Sequence, residues 1–244
     1  GGAVVGGNGG GESKSARAPS SAAQRQQQQQ MVVVYGDSGT GKTAFLCRCL
    51  DKAFCENQHG PWLALHRRIL ARHLCTVNDA DSLDPRMWAR ALAGQLFGAL
   101  QAAESSTWAD QARALLGHAD EHAFCAWLEG EHAPRAILEQ WVLPVLALEG
   151  VRDGALGGRD TIWLDSLDEA LTRSIDGGAQ DTVVALLRQF QRRWPPWVRF
   201  VATSRPDEKT RRQLGPLSGA KIEVDSEANQ EDVRALVVRE LRRL

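Results

Sequence analysis

Hydrophobic residues along this chain fall into short runs and helical stripes that begin only after the first thirty residues. Residues 31–35 (MVVVY) form a β-branched run that ends at a glycine, and such a run predicts a strand buried on both faces. Residues 161–165 (TIWLD) and 198–203 (VRFVAT) predict two more strands of this kind. Weaker strands are expected within 69–75 and near 221–224. Each of the three strong runs ends in glycine or polar residues.

Between these runs, apolar residues recur at the three- and four-residue spacing of amphipathic helices. Pro85 can open one such helix, in which Met87, Leu92, Leu96 and Leu100 are expected to face inward. The same spacing predicts helices over 43–54, 85–103, 107–128, 137–148 and 182–193, with a last helix from about residue 230. Strands that alternate with helices predict an α/β fold, here a three-layer α/β/α sandwich around a mostly parallel central sheet.

The periodic pattern divides the chain into three parts. Residues 1–30 are rich in Gly, Ser and Gln and hold almost no large apolar side chains, so burial cannot offset their ordering entropy and a disordered leader is expected. Residues 31–225 carry the alternating pattern and are interpreted as one domain. Residues 226–244 are expected to be the start of a C-terminal helical region that continues beyond this chain.

Composition excludes several classes of function. The 29 Lys and Arg residues nearly balance the 30 Asp and Glu residues, whereas nucleic-acid-binding domains are usually strongly basic. No apolar run approaches the roughly 18 residues that span a bilayer. The five cysteines fit no zinc or disulfide spacing, which favours reduced thiols and a cytoplasmic location. Neither nucleic acid nor membrane is therefore expected as a partner.

The first strand leads into a phosphate-binding pattern. Residues 36–43 read GDSGTGKT and match G-x-x-x-x-G-K-[ST] between a predicted strand and a predicted helix. Glycines allow a tight turn whose N–H groups point into one concavity, and the helix adds the positive end of its dipole. Lys42 can reach the β- and γ-phosphates, and the Thr43 hydroxyl can bind Mg²⁺. The residues expected to bind nucleotide are Gly36, Asp37, Ser38, Gly39, Thr40, Gly41, Lys42 and Thr43.

Acidic residues follow a second buried strand. Asp165 ends the run TIWLD, and ligands of open α/β sheets bind at the carboxyl ends of the strands. Asp165 is therefore expected to face the phosphate loop and to bind Mg²⁺. Asp168 and Glu169 come soon after it, near enough to orient or deprotonate a water that attacks the γ-phosphate. The spacing does not decide which of these two acids does so.

A third strand ends in hydroxyls and an arginine. Thr203 and Ser204 are expected to emerge at the same edge of the sheet. Arg205 precedes a proline, which restrains its backbone to extended conformations. A planar cation held there can contact the γ-phosphate and distinguish a triphosphate from a diphosphate.

Together the stretches GDSGTGKT (36–43), IWLDSLDEA (162–170) and FVATSRP (200–206), in this order, resemble the NACHT domain of the STAND class of P-loop NTPases. The resemblance covers residues 31–244 and points to the members that carry ankyrin or tetratricopeptide repeats. Ser166 stands where that family usually has glycine.

The resemblance implies a particular fold and activity. The strand ending at Arg205 should lie between the phosphate-loop strand and the acidic strand. The domain should bind ATP or ADP with Mg²⁺ and act as a signalling switch that is closed with ADP and oligomerises with ATP. Flanking domains would then supply protein partners, and slow hydrolysis would reset the switch.

Two other functions stay open at this point. A phosphotransferase such as a small-molecule kinase would need an arginine-rich lid and an acceptor pocket, and no clear lid occurs in the sequence. A scaffold could instead hold nucleotide without significant hydrolysis, which the presence of Lys42, Thr43, Asp165 and Glu169 disfavours.

Overall fold

The structure is a computed structural model, and it describes residues 30–58, 60–103, 107–115, 117, 121–171, 182–223 and 227. The predicted leader, apart from its last residue, and the predicted last helix lie outside these residues. The three-part division of the chain stays a prediction.

One five-stranded parallel sheet organises the described residues. Its strands are Met31–Tyr35 (β1), Ile69–Leu74 (β2), Thr161–Asp165 (β3), Arg199–Ser204 (β4) and Ser218–Glu223 (β5). They lie side by side in the order β2-β3-β4-β1-β5, and every neighbouring pair is parallel. The strand that leads into Arg205, β4, therefore lies between the phosphate-loop strand and the acidic strand, as the resemblance implied. The predicted α/β fold is confirmed.

Helices connect the strands and cover both faces of the sheet. No helix within the described part of the chain has both the length and the apolar character that crossing a membrane requires. A π-helical turn, Leu138–Val142, joins the helices Pro134–Ile137 and Leu143–Leu146, and a short 3₁₀ helix, Asp81–Leu83, precedes the helix that begins at Pro85. The helices are Lys42–Leu50 (α1), Lys52–Gln58 (α2), Gly60–Arg68 (α3), Pro85–Gln101 (α4), Thr107–Ala114 (α5), Glu121–Glu129 (α6), Pro134–Ile137 (α7), Leu143–Leu146 (α8), Leu167–Ala170 (α9), Val183–Phe190 (α10) and Glu208–Leu214 (α11).

The two faces of the sheet carry cores of very different size. Side chains alternate along β3, so Ile162 and Leu164 join a large buried cluster that includes α4, α7, α8 and α10. Trp163 points to the opposite face and packs with Leu46 and Cys49 of α1 in a small second cluster. The helix that follows the phosphate loop is therefore held against the sheet by a few large contacts.

The structure corrects the predicted helices in three places. The helix expected over 43–54 is broken at Asp51, whose backbone is extended (φ −75°, ψ 100°) and whose carboxylate accepts the Phe54 N–H at 3.0 Å, so a second helix begins there. Met87 is 36% exposed and does not face inward as expected, whereas the three leucines predicted with it are buried. The helix expected over 107–128 is two helices, α5 and α6.

At the amino end of β3, an ion pair between a buried aspartate and a half-exposed arginine ties three strands together. The carboxylate of Asp160, which is 2% exposed, accepts hydrogen bonds from Arg68 Nε at 3.0 Å, Arg68 Nη2 at 2.5 Å and Thr161 Oγ1 at 2.8 Å. Its backbone bonds to Arg68 O and to the Arg199 N–H. Burial favours a higher pKa for Asp160, but the hydrogen bonds from Arg68 and Thr161 and the charges of Arg68 and Arg152 outweigh burial and lower that pKa below its ordinary value.

Candidate functional site

The phosphate-loop pattern forms a tight turn between β1 and α1. Gly36 is buried directly after β1, and its N–H donates to Ser204 O of β4 at 3.2 Å. Gly39 and Gly41 have φ values of 82° and 87°, which is the left-handed region that side chains with a Cβ rarely adopt. The turn can therefore form because glycine stands at these two positions.

Helix α1 begins directly at this turn and points its amino end into the site. Its N-cap, Gly41, has no side chain to bind the first N–H groups, so these groups are available to an anion. Lys42 Nζ lies over the turn and donates to Gly36 O at 2.5 Å, to Asp37 O at 2.8 Å and to Thr40 Oγ1 at 3.3 Å. An ammonium and several amides are thus brought to one concave surface.

Asp165, at the carboxyl end of β3, lies beside this turn. Its side chain is almost fully buried, with 2% exposed. Thr43 Oγ1 donates to Asp165 Oδ2 at 2.7 Å, and Thr203 Oγ1 of β4 donates to Asp165 Oδ1 at 2.5 Å. Two threonine hydroxyls from neighbouring elements therefore fix both oxygens of this carboxylate.

The residue after Asp165 turns the chain sharply toward the other acids. Ser166 has φ 57° and ψ 49°, a left-handed conformation, and its N–H donates to Thr203 Oγ1 at 2.8 Å. Helix α9 starts at the next residue, and this directs Asp168 and Glu169 toward the strand ends. Thr203 therefore holds both the carboxylate of Asp165 and the turn that follows it.

Asp168, Glu169 and Arg205 form one charged group at the tip of β4. Asp168 Oδ1 accepts the Arg205 N–H at 3.1 Å, and Asp168 Oδ2 lies 3.3 Å from Arg205 Nε. Glu169 Oε1 lies 3.6 Å from Arg205 Nη2, while its Oε2 accepts the Val77 N–H at 2.6 Å. Asp168 is thus bound to the backbone of the arginine, and Glu169 bridges the arginine to the loop after β2.

A cavity of about 290 Å³ joins the phosphate loop to this charged group. The loop and α1 contribute Ser38, Gly39, Gly41, Lys42, Thr43 and Ala44, and the strand ends contribute Ser166, Asp168, Glu169 and Arg205. A buried thiol, that of Cys75, lies close to these acidic residues. Burial, and then the charges of Asp165, Glu169 and Asp168, raise the pKa of Cys75 to about 12.

A comparison with protein families agrees with this arrangement. The family described as AAA ATPase domain matches residues 20–221, which is well over half of the chain. The chain belongs to the AAA ATPase domain family. Membership implies binding and hydrolysis of a nucleotide. A comparison with curated proteins gives no match to this sequence.

Two oxygen donors in this AAA ATPase domain fit the requirements of a magnesium ion bound together with a nucleotide. Among the described residues, no group of three or more His, Cys, Asp or Glu side chains could hold a metal alone. Magnesium, however, is usually held by one or two protein oxygens together with phosphates and waters. The Thr43 hydroxyl and the Asp165 carboxylate, 2.7 Å apart at the edge of the cavity, provide such a donor set.

Sequence reasoning missed three hydrogen bonds in the site. The hydrogen bond from the Val77 N–H to Glu169 has no sequence signal, because any residue other than proline has a backbone N–H at that position. Thr203 was expected at this edge, but its two bonds, to Asp165 and to Ser166, follow only from the register of β3 beside β4.

Proposed function

We propose that this AAA ATPase domain is a NACHT-type switch of the STAND class that binds Mg-ATP and hydrolyses it slowly. The observation that carries the proposal is the 2.7 Å hydrogen bond between Thr43 Oγ1 and Asp165 Oδ2, with Lys42 next in the chain. This contact supports the proposal because the two residues expected to bind the metal are in contact, and the lysine expected to bind the phosphates is next to one of them in the chain.

The phosphate loop and the start of α1 would bind the triphosphate. The N–H groups of residues 36–43 would surround the β-phosphate, and Lys42 would exchange its carbonyl partners for phosphate oxygens. That exchange is favourable because hydrogen bonds between two charged groups are stronger than those to a neutral carbonyl. When bound, Mg²⁺ would neutralise charge on the phosphates, held by Thr43 and Asp165.

Glu169 is the better candidate to orient the attacking water. Asp168 is used to fix the tip of β4, since Oδ1 binds the Arg205 N–H and Oδ2 faces the Arg205 guanidinium. Glu169 lines the same cavity, where its carboxylate accepts the neutral Val77 N–H and lies 3.6 Å from the Arg205 guanidinium. We therefore assign proton transfer from water to Glu169 and structural support to Asp168.

Arg205 is suited to sense the γ-phosphate. Its guanidinium lies between Asp168 and Glu169, is about half exposed and lines the cavity. A γ-phosphate would compete with Glu169 for this cation, so nucleotide state and the position of Glu169 become coupled. In the proposed switch, this coupling drives oligomerisation and contact with protein partners through flanking domains. The cytoplasmic location expected from the cysteines stays a prediction.

The test compares Lys42→Ala with Lys209→Ala, an exposed lysine on α11. Mg-ATP is expected to raise the melting temperature of the wild-type chain and of Lys209→Ala by the same amount. The increase should vanish in Lys42→Ala, because the charge that balances the terminal phosphates is gone. A full Mg-ATP shift in Lys42→Ala would refute the proposed site.

A further inference from the structure

A second cavity, of about 500 Å³, lies at the opposite end of the sheet from the phosphate loop. It is bordered by residues 69–72, the first four residues of β2, by Leu50 at the end of α1 and by Arg159 just before β3. Its volume is within the roughly 300–1,000 Å³ that is typical of small-molecule sites. None of its lining residues contributes to the nucleotide cavity.

Cationic side chains outnumber acidic ones in the lining. Lys52, Arg67, Arg72 and Arg159 all border the cavity, against one carboxylate, that of Glu56. The chain as a whole carries a net charge of −1, so this excess of positive charge is local. Among the described lining residues, one ion pair forms, between Lys52 and Glu56 at 3.8 Å.

Ordinary structural roles explain only part of this charge. Arg67 is in the last turn of α3, where a cation offsets the helix dipole. Arg72 is on a strand and Arg159 is in a loop, so no helix end explains either of them. The nearby Asp160 does not neutralise them, because its carboxylate is already paired with Arg68 and lies 3.6 Å from Arg152.

The floor of the cavity favours a compact ligand over an added strand. β2 is an edge strand, but the side chain of Gln95 accepts the Arg72 N–H at 3.0 Å and donates to Arg72 O at 2.8 Å. It thereby occupies the backbone groups that a further strand would need at this residue. The buried side chains of Leu70 and Ala71 close the base of the cavity.

We propose that this cavity is a second ligand site, which takes a small polyanion that carries phosphate groups. The guanidinium groups of Arg67, Arg72 and Arg159 would provide paired donors that match phosphate oxygens, and Lys52 would add a point charge. The site is separate from nucleotide hydrolysis, and it stands whether or not the proposed switch function is correct.

The test uses inorganic tripolyphosphate and the Lys42→Ala chain, in which the phosphate loop no longer competes. Isothermal titration is expected to give one site. The double substitution Arg67→Gln and Arg72→Gln should weaken binding at least tenfold. The matched control is Arg135→Gln with Arg188→Gln, two arginines outside the cavity, and its affinity should stay within about twofold.

Two further arms make the result decisive. Arg159→Gln alone should weaken tripolyphosphate binding severalfold. Its melting temperature should change only slightly, since the substitution removes one hydrogen bond, from Arg159 Nε to Leu156 O, and this separates ligand contact from folding. Citrate, a carboxylate polyanion, should bind at least tenfold more weakly than tripolyphosphate. Equal affinity in the cavity and control variants would overturn the site, and equal affinity for citrate would overturn the phosphate assignment.

Discussion

The two ends of β3 each carry a buried aspartate, and the two are used in opposite ways. Asp160 and Asp165 are both 2% exposed. Asp160 is paired with the guanidinium of Arg68, so its charge is balanced within the protein. Asp165 is bound by two neutral threonine hydroxyls, and among the described residues it forms no ion pair.

This difference separates stability from ligand binding. A buried charge is costly unless it is paired. Asp160 therefore belongs to the interactions that hold the sheet together. Asp165 retains an unbalanced negative charge at the edge of the nucleotide cavity, and a cation that arrives with the phosphates would balance it.

The largest expected effect concerns the carboxyl end, where Glu169→Gln should slow phosphate release about 100-fold or more while Mg-ATP still binds. General-base groups typically contribute factors of about 10²–10⁴ to a rate. Turnover is measured as phosphate released with water as the only acceptor.

Asp168→Asn is the matched control for this change. It should reduce turnover much less, since we assign Asp168 a structural role. Equal losses in the two variants would contradict the division between these acids. Wild-type binding of ATP without any phosphate release would favour the scaffold or the phosphotransferase.

At the amino end, Asp160→Asn should lower the free energy of unfolding by about 2 kcal/mol, because the charge-assisted hydrogen bonds to Arg68 are lost. Chemical denaturation without nucleotide measures this change. The affinity for Mg-ATP should stay within about twofold of the wild type. A large loss of affinity for Mg-ATP together with unchanged stability would show that Asp160, like Asp165, serves ligand binding and not stability.

Asp165→Asn should weaken the binding of Mg-ATP and leave stability nearly unchanged. The affinity for Mg-ATP should fall about tenfold or more, whereas the affinity for ATP in excess EDTA should change little. The free energy of unfolding without nucleotide should stay within about 1 kcal/mol of the wild type, since replacing an unbalanced buried charge with a neutral amide costs little. Equal affinities for Mg-ATP before and after the substitution would remove Asp165 from the metal site.

Sequence reasoning anticipated the carboxyl end of β3 better than its amino end. The strands at 31–35 and 161–165 and the phosphate loop are local patterns, and parallel strands bring their carboxyl ends to one edge. The Asp160–Arg68 pair joins residues 92 positions apart with no motif to mark either of them. The break at Asp51 has a signal, the capping aspartate, but the apolar spacing continues across it and hides the boundary.

The pH dependence of stability should test the role of Asp160 further. Because the folded-state pKa of Asp160 is lowered, its contribution is fully present above the unfolded value of about 4 and is lost as the pH falls through the folded value. The wild-type chain should therefore lose stability below about pH 4 more steeply than Asp160→Asn. Parallel curves for the two chains between about pH 2 and pH 5 would contradict this assignment.

The smallest expected effect concerns Ser166, the one described residue other than glycine with a positive φ. A left-handed backbone conformation costs a residue with a Cβ about 1 kcal/mol or more, and replacing Ser166 with glycine would remove this cost. Part of that gain is offset because glycine has more conformational freedom in the unfolded state. Ser166→Gly should therefore raise the free energy of unfolding by about 0.5 kcal/mol, or roughly 1–2 °C in melting temperature.

Gly39→Ala is the reverse control. No atom lies within 4 Å of the added Cβ, so its loss of about 1 kcal/mol would come from conformation alone. If Ser166→Gly destabilises the chain instead, the serine hydroxyl, 3.4 Å from Asp165 Oδ2, contributes more to the carboxyl end than the backbone geometry implies.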